Sequence, residues 1–240
     1  MADKQVKTEQ TDAHEIVAKA RGFWAAYSKK IIIVGSVVIA LLGGFIGYKY
    51  LITIPNEKKA NDLIFPAEKL FGKMASTSSY NKDTVNMVLN GDKAAGVTGL
   101  LKIAGDYSGT KSGNRAEYMI GACYLNLKQF DKAIKHLKEF DANGASQIQS
   151  KAYILLGHAY AEQKKTDDAL DYYKKAGSIS GLDDAMATEA IYMAARYAEA
   201  MGKVSDAIEL FQKLKDDYPT SQRVSSGEVD KYLASLGVTK

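Results

Sequence analysis

Few residues in this sequence could do catalytic or metal chemistry, because cysteine and histidine are scarce. Cys123 is the single cysteine, and the three histidines, His14, His136 and His158, lie far apart along the chain. One cysteine excludes an intramolecular disulfide and a cysteine-rich metal site. Three separated histidines leave few ligands for zinc. We therefore expect no metal site and no cofactor.

The sequence around these groups does not suggest an enzyme either. Cys123 precedes Tyr124 in an apolar helical segment without a nearby histidine to act as a base, which favours a buried, unreactive thiol. His158 follows Gly157, and we expect a solvated histidine rather than a catalyst there. The acidic pairs lie at predicted turns or helix ends, where Asp167 and Asp183 could be helix N-caps. We predict no catalytic residue.

Composition narrows the class of protein further. The 240 residues carry 32 basic and 28 acidic side chains, and a net charge of +4 gives no support to nucleic-acid binding. Three prolines are few for this length, which fits an all-α chain, because proline interrupts helices.

An uncharged segment near the N-terminus predicts a membrane anchor. Residues 31–48 contain no charged side chain, and with the apolar residues up to 54 they are long enough to span a bilayer. No small-x-small cleavage site follows, so we expect an anchor rather than a cleaved signal. Trp24, Lys29 and Lys30 precede the segment and suit the headgroup layer. Flanking basic residues favour a cytoplasmic N-terminus only slightly, four against three.

Three segments after the anchor repeat one spacing. Gly121, Gly157 and Ala195 each precede an alanine by 12 residues, and that alanine precedes a large residue by four. The alanines are Ala133, Ala169 and Ala207, and the large residues are Leu137, Tyr173 and Phe211. Small residues let two antiparallel helices approach closely, and the large residues fill the space between neighbouring pairs. This pattern resembles the tetratricopeptide repeat (TPR) and predicts stacked helical hairpins.

The repeats divide the chain into five predicted parts. We expect three TPR units over residues 114–224, after a helical spacer with a degenerate repeat over 55–113, in which Pro66 kinks a helix. A capping helix over 225–240 should begin at Ser226 and end at Gly237. Residues 1–30 form the juxtamembrane segment and 31–54 the anchor. The predicted fold class is all-α: one transmembrane helix followed by a TPR solenoid.

The first helix of each unit should line a concave groove, the surface on which we expect a partner protein. The competing interpretation is that the N-terminal helix or the C-terminal cap fills this groove. Tyrosine and arginine, which are common in protein interfaces, occur among the predicted contact residues. These are Arg115, Tyr118, Asn126, Lys151, His158, Tyr192 and Arg196, and we expect Arg115, Tyr118, Lys151, Tyr192 and Arg196 to be exposed.

Together with the anchor, the NGD at 90–92 and the run SGTKSGNRAEYMIGACYL at 108–125, the repeats resemble YfgM-like TPR proteins of the Bacteroidetes. The resemblance implies a single-pass inner-membrane protein with periplasmic repeats. It also implies partners: the Sec translocon, a periplasmic chaperone of the prolyl-isomerase type and exported clients. The family supplies no catalytic residues. The alternative is a cytoplasm-facing TPR receptor or adaptor with the same anchor.

Overall fold

A computed structural model describes the backbone of residues 2–238 and the side chains of residues 17–238. The chain divides into two compact units, residues 1–55 and 56–240. The first contains α1 (Ala2–Tyr48), followed by a π-helical segment (Lys49–Thr53). Within the described residues one helix, near the N-terminus, is long and apolar enough to cross a membrane. By length and composition it is a candidate membrane span.

The second unit is almost entirely helical. Its elements in chain order are α2 (Ile54–Thr77, entering from the first unit), α3 (Lys82–Asn90), β1 (Gly91–Asp92), β2 (Val97–Thr98), α4 (Leu100–Asp106), α5 (Lys111–Asn126), α6 (Phe130–Glu139), α7 (Ser146–Glu162), α8 (Thr166–Gly177), α9 (Asp184–Ala200), α10 (Val204–Asp217), α11 (Gln222–Ser225) and α12 (Glu228–Ser235).

Three helical hairpins form the centre of this unit: α5–α6, α7–α8 and α9–α10. In each hairpin the two helices pack closely at the small residue identified in the repeat pattern. A Cβ added to Gly121 would lie 2.5 Å from Leu137 Cγ, and one added to Gly157 would lie 2.5 Å from Tyr173 Cε1. Both helices can therefore approach only because these residues lack a side chain. In the third hairpin Ala195 and Phe211 are fully buried. The predicted all-α hairpin solenoid is confirmed.

Capping residues fix where several of these helices begin. The Asp183 side chain accepts a hydrogen bond from the backbone N–H of Met186, at 2.8 Å, and is the N-cap of α9 as predicted. The same prediction for Asp167 is wrong, because α8 already begins at Thr166 and Asp167 lies within its first turn. A carboxylate there still interacts favourably with the positive end of the helix dipole.

The segment before the first hairpin combines helices with one short β-hairpin. Pro66 lies inside α2, and the helix continues through it to Thr77. The region between α3 and α4 leaves helical structure, because Gly91 and Gly96 adopt positive φ angles of 85° and 67°. There Gly91 pairs with Thr98 and Asp92 with Val97.

The two ends of the second unit are fastened to the hairpins by specific contacts. Glu57 of α2 accepts hydrogen bonds at the start of α5, from the backbone N–H groups of Lys111 (2.6 Å) and Ser112 (3.2 Å). At the other end Val229 and Leu233 of α12 are buried in the same apolar cluster as Phe211. The last hairpin is thus covered by α12.

The boundaries of α12 differ in one respect from the prediction. Gly227, at φ 73°, holds the N-cap position of α12. Ser226 instead donates a hydrogen bond from its hydroxyl to the Arg223 carbonyl oxygen, at 3.4 Å. The predicted Ser226 cap is therefore wrong. The predicted stop at Gly237 is correct: it follows the helix with a φ of 87°, where a glycine is favoured.

Candidate functional site

The groove is the face of the second unit formed by α5, α7 and α9, the first helices of the three hairpins. The seven predicted contact residues lie on these helices but differ in accessibility. Lys151 and Asn126 are exposed, whereas the other five are half-buried. Asn126 donates a hydrogen bond from its side chain to the Ala122 carbonyl oxygen at 2.9 Å, so it is directed at its own helix.

At the N-terminal end of the groove, α2 lies against α5. Arg115 Nε donates to Glu68 Oε1 at 2.8 Å, and Arg115 Nη2 donates to Asn61 Oδ1 at 3.1 Å. Both partners belong to α2. Arg115 is therefore held in place by the spacer helix before any partner arrives.

Next to this ion pair lies an apolar pocket of about 530 Å³, which we call the α2–α5 pocket. The ring of Tyr118 lies 5.4 Å from that of Phe140, centroid to centroid, and burial raises the pKa of Tyr118. The walls of the pocket are mainly apolar, and charged groups of both signs lie at its rim. The pocket is lined by Glu68, Phe71, Lys111, Asn114, Arg115, Tyr118, Met119, Phe140, Asp141, Ala142, Asn143, Ala145 and Ile148.

In the middle of the groove, His158 is engaged with the hairpin core. Its Nδ1 lies 2.7 Å from the Tyr173 hydroxyl, and the two rings meet edge to face at 5.5 Å. Burial lowers the pKa of His158. The expectation of a solvated histidine is wrong, because the imidazole fills space beside the ring that packs on Gly157.

At the C-terminal end, α11 and α12 cover part of the groove. The Tyr192 hydroxyl donates to Glu228 Oε1 at 2.6 Å, and the Arg223 guanidinium lies 4.1 Å from the Tyr192 ring centroid. Arg196 lies 4.2 Å from the Tyr232 ring centroid and also pairs with Glu199. Arg223 bridges Glu189 and Glu228, which raises the pKa of Arg223. The pKa of Glu228 is lowered by the hydrogen bond from the Tyr192 hydroxyl and then by the hydrogen bonds from Arg223.

These contacts correct the expected exposure of the groove residues. Of the five residues expected to be exposed, only Lys151 is. Arg115 is engaged by α2, and Tyr192 and Arg196 are engaged by α12. The terminal helices thus cover part of both ends of the groove, and the α2–α5 pocket remains an open apolar feature at its N-terminal end.

Sequence reasoning missed the side chains that complete this pocket, Phe71, Phe140 and Ile148. Phe140 could have been found, since it directly follows α6, in the loop that leads to the next hairpin. The approach of Phe71 has no local signal, because it depends on how a separate helix packs.

The other residues considered in the sequence analysis are Cys123 and the predicted membrane-interface residues. Among the described side chains, none of these belongs to a catalytic arrangement. Cys123 is completely buried, and this burial raises its pKa to about 12, which keeps the thiol protonated and unreactive. Trp24, Lys29 and Lys30 are exposed on α1, in the first unit.

Comparison with known proteins settles the family. A model of the tetratricopeptide repeat-like domain matches residues 21–180, two thirds of the chain. The chain belongs to this TPR-like family. A second tetratricopeptide repeat model matches residues 189–221, which contain most of α9 and all of α10. The TPR fold is a scaffold for protein interaction and is typically non-enzymatic.

Individual relatives are distant. A TPR repeat-containing protein of Methanocaldococcus jannaschii is 28% identical over 97 residues, which are 39% of this chain and 30% of that protein. The chain thus matches less than a third of that relative. Two solved structures of MamA are 17% and 16% identical, with TM-scores of 0.44 and 0.45. The aligned regions cover 69% and 74% of this chain, and 86% and 87% of the respective MamA chains.

Proposed function

We propose that this TPR protein is a membrane-anchored scaffold that binds a partner protein through the α2–α5 pocket and the adjoining groove. The observation that carries the proposal is the pocket itself: an apolar cavity of about 530 Å³ in a repeat fold that serves protein interaction. Its size lies within the range of pockets that hold small ligands, roughly 300–1,000 Å³.

The chemistry of the pocket indicates what kind of segment would enter it. Phe71, Tyr118 and Phe140 offer aromatic surface, and aromatic contacts dominate the energy of many interfaces. Arg115 and Glu68 stand at the rim, already paired with each other at 2.8 Å. A partner segment with one large apolar side chain and polar neighbours would therefore place its apolar group inside and its polar groups at the rim.

Substitution of Ile148 by glutamate tests this assignment. Ile148 lines the pocket, yet 38% of it is exposed, so a charge there should leave the fold intact and oppose apolar insertion. Val204 at the start of α10 is 46% exposed and lies outside the pocket, which makes Val204→Glu a matched control. We expect Ile148→Glu, and not Val204→Glu, to reduce co-purification of partners from gently solubilised membranes by about tenfold. Equal retention by both variants would contradict the pocket assignment.

We further propose that the repeats work in the periplasm, as an accessory to the Sec translocon and to a chaperone of the prolyl-isomerase type that handles exported clients. The support is the resemblance to YfgM-like proteins of the inner membrane, together with the apolar N-terminal helix. In this proposal residues 31–54 are the anchor, residues 1–30 are cytoplasmic, and Trp24, Lys29 and Lys30 lie at the membrane interface. Nucleic acid has no part in it.

Protease protection distinguishes this proposal from a cytoplasm-facing TPR receptor or adaptor. If the repeats are periplasmic, external protease should digest them once the outer barrier is opened, while the inner membrane remains intact. If they are digested only after the inner membrane is lysed, the cytoplasm-facing alternative is correct.

A further inference from the structure

Three side chains with metal-binding atoms meet between the two helices of the first hairpin. Glu117 lies on α5, and His136 and Glu139 lie one turn apart on α6. One ligand atom of each lies within 4.8 Å of the others. The carboxylate of Glu117 and the ring of His136 are closest, with 2.6 Å between Oε2 and Nδ1. We call this set the Glu–His–Glu cluster.

Two of these three side chains are partly enclosed, unlike an ordinary surface carboxylate group. The side chains of His136 and Glu117 are only 15% and 14% exposed. The imidazole is oriented by the Tyr124 ring, which stacks on it at 5.6 Å with an interplanar angle of 26°. The Lys132 ammonium group lies over the other aromatic ring, with Nζ 5.1 Å from the Tyr124 ring centroid. Glu139 is exposed and is free to turn toward the other two.

We propose that the Glu–His–Glu cluster binds a divalent first-row transition metal ion, for which Zn²⁺ is the probe. In a tetrahedral zinc site, bonds of about 2.0–2.2 Å to nitrogen and carboxylate oxygen place the ligand atoms roughly 3.3–3.6 Å apart. Glu117 Oε2 and His136 Nδ1, now 2.6 Å apart, would have to separate by roughly 1 Å to admit the ion. The ligand atom of Glu139 lies within 4.8 Å of both.

The ligand types select among cations. An imidazole nitrogen suits zinc, copper, nickel and iron, whereas calcium and magnesium prefer oxygen ligands only. Two carboxylates provide the negative charge that compensates the ion. Because the ligands come from both helices, a bound ion would cross-link α5 to α6 and stabilise the first hairpin.

The competing interpretation is that Glu117 and His136 form only a hydrogen bond. Titration of the full, detergent-solubilised and metal-stripped chain with ZnCl₂, followed by calorimetry, separates the two. We expect His136→Gln, Glu117→Gln and Glu139→Gln each to lower the affinity for one zinc ion at least about tenfold. Even substitutions of residues that only support a metal ligand lower metal affinity by that much. Glu139→Gln is the decisive variant, because its exposed side chain adds little to folding.

Matched controls are available on the next hairpin. Glu162→Gln removes an exposed carboxylate from α7, and His158→Gln removes the other described histidine, and both should leave the zinc affinity unchanged. Zinc should also raise the melting temperature of the wild type, and MgCl₂ should not. If Glu139→Gln binds zinc as tightly as the wild type, or if the wild type binds no more zinc than His136→Gln, the proposal is overturned.

Discussion

At the scale of single residues, each hairpin depends on a close contact between a small and a large side chain. Gly157 meets the Tyr173 ring, and the hydroxyl of that tyrosine is paired with His158. The ring therefore has little freedom to move away from an added methyl group. Close packing of this kind makes stability sensitive to volume changes as small as one carbon atom.

Replacing Gly157 by alanine should destabilise the protein by about 1–3 kcal/mol, the usual cost of overpacking a core. The physical reason is the Cβ, which would lie 2.5 Å from Tyr173 Cε1. Gly72 in α2 is a matched control, since among the described residues no atom outside its own helix backbone lies within 4 Å of an added Cβ. Gly72→Ala should be neutral or stabilising by up to about 1 kcal/mol, because alanine favours helix. Denaturant unfolding of both variants measures the difference, and equal stability would refute the contact.

His158 predicts a pH dependence of stability. Its pKa in the folded chain is lowered from the ordinary 6.5 by burial, so below pH 6.5 the unfolded chain binds a proton that the folded chain does not. Stability contributed by neutral His158 is therefore present above the unfolded pKa and is lost as the pH falls toward the folded pKa.

We expect the melting temperature of the wild type to fall more between pH 7 and pH 5 than that of His158→Gln, in which this titration is absent. The comparison uses the change with pH, so a uniform loss from the missing Tyr173 contact does not affect it. Parallel curves for the two proteins would show that His158 does not carry the effect.

At the scale of elements, α12 has two effects: it covers the last hairpin of the solenoid, and it restricts access to the groove. Val229 and Leu233 are buried against the last hairpin, and the Tyr232 ring stacks on Phe211 at 5.1 Å. The same short helix supplies Glu228 and Tyr232 to Tyr192 and Arg196. Detachment of α12 would thus expose two groove residues as well as the apolar face of α10.

Leu233→Ala should loosen this helix, because removing a buried leucine side chain costs about 2–5 kcal/mol. Leu233 is 3% exposed, whereas Lys231 on the same helix is exposed and serves as the control. Hydrogen exchange should show faster exchange in residues 222–238 and around Tyr192 for Leu233→Ala, with Lys231→Ala unchanged. Uniform loss of protection across the whole chain would instead indicate that α12 unfolds only with the entire solenoid.

The hairpins could be predicted from sequence because their decisive contacts recur at fixed local spacing. Gly121 and Leu137 are 16 residues apart, and Gly157 and Tyr173 repeat that separation. Contacts of the terminal helices carry no such period: Arg115 meets Glu68 47 residues away, and Tyr192 meets Glu228 36 residues away. The α2–α5 pocket follows from these contacts, so the sequence alone did not indicate it. Closure of the groove by a terminal helix was only the competing interpretation of the sequence.

At the scale of the whole molecule, an apolar N-terminal helix is joined to a solenoid with a restricted groove. If that helix is an anchor, it confines the solenoid to the membrane surface, where even a weak contact gains from a high effective concentration of partners in the same bilayer. Recognition would then be shared between the two units. Gly43 and Gly47 form a GxxxG spacing in the apolar segment, and such spacing permits close approach of a second membrane helix.

Exchange of residues 31–48 for an unrelated apolar helix without glycine should separate these contributions. Among the described residues, no atom outside the helix's own backbone lies within 4 Å of a Cβ added at Gly43 or Gly47, so this surface is open to an outside helix. Membrane helix contacts of about 1–2 kcal/mol predict that co-purification of any integral membrane partner bound through this helix falls by about tenfold. Partners held by the α2–α5 pocket should remain, and Ile148→Glu should give the reverse pattern.

The measurement is quantitative co-purification of wild type and both variants at equal membrane levels. Loss of the same partners in both variants would show that anchor and pocket act on a single shared complex rather than on separate partners.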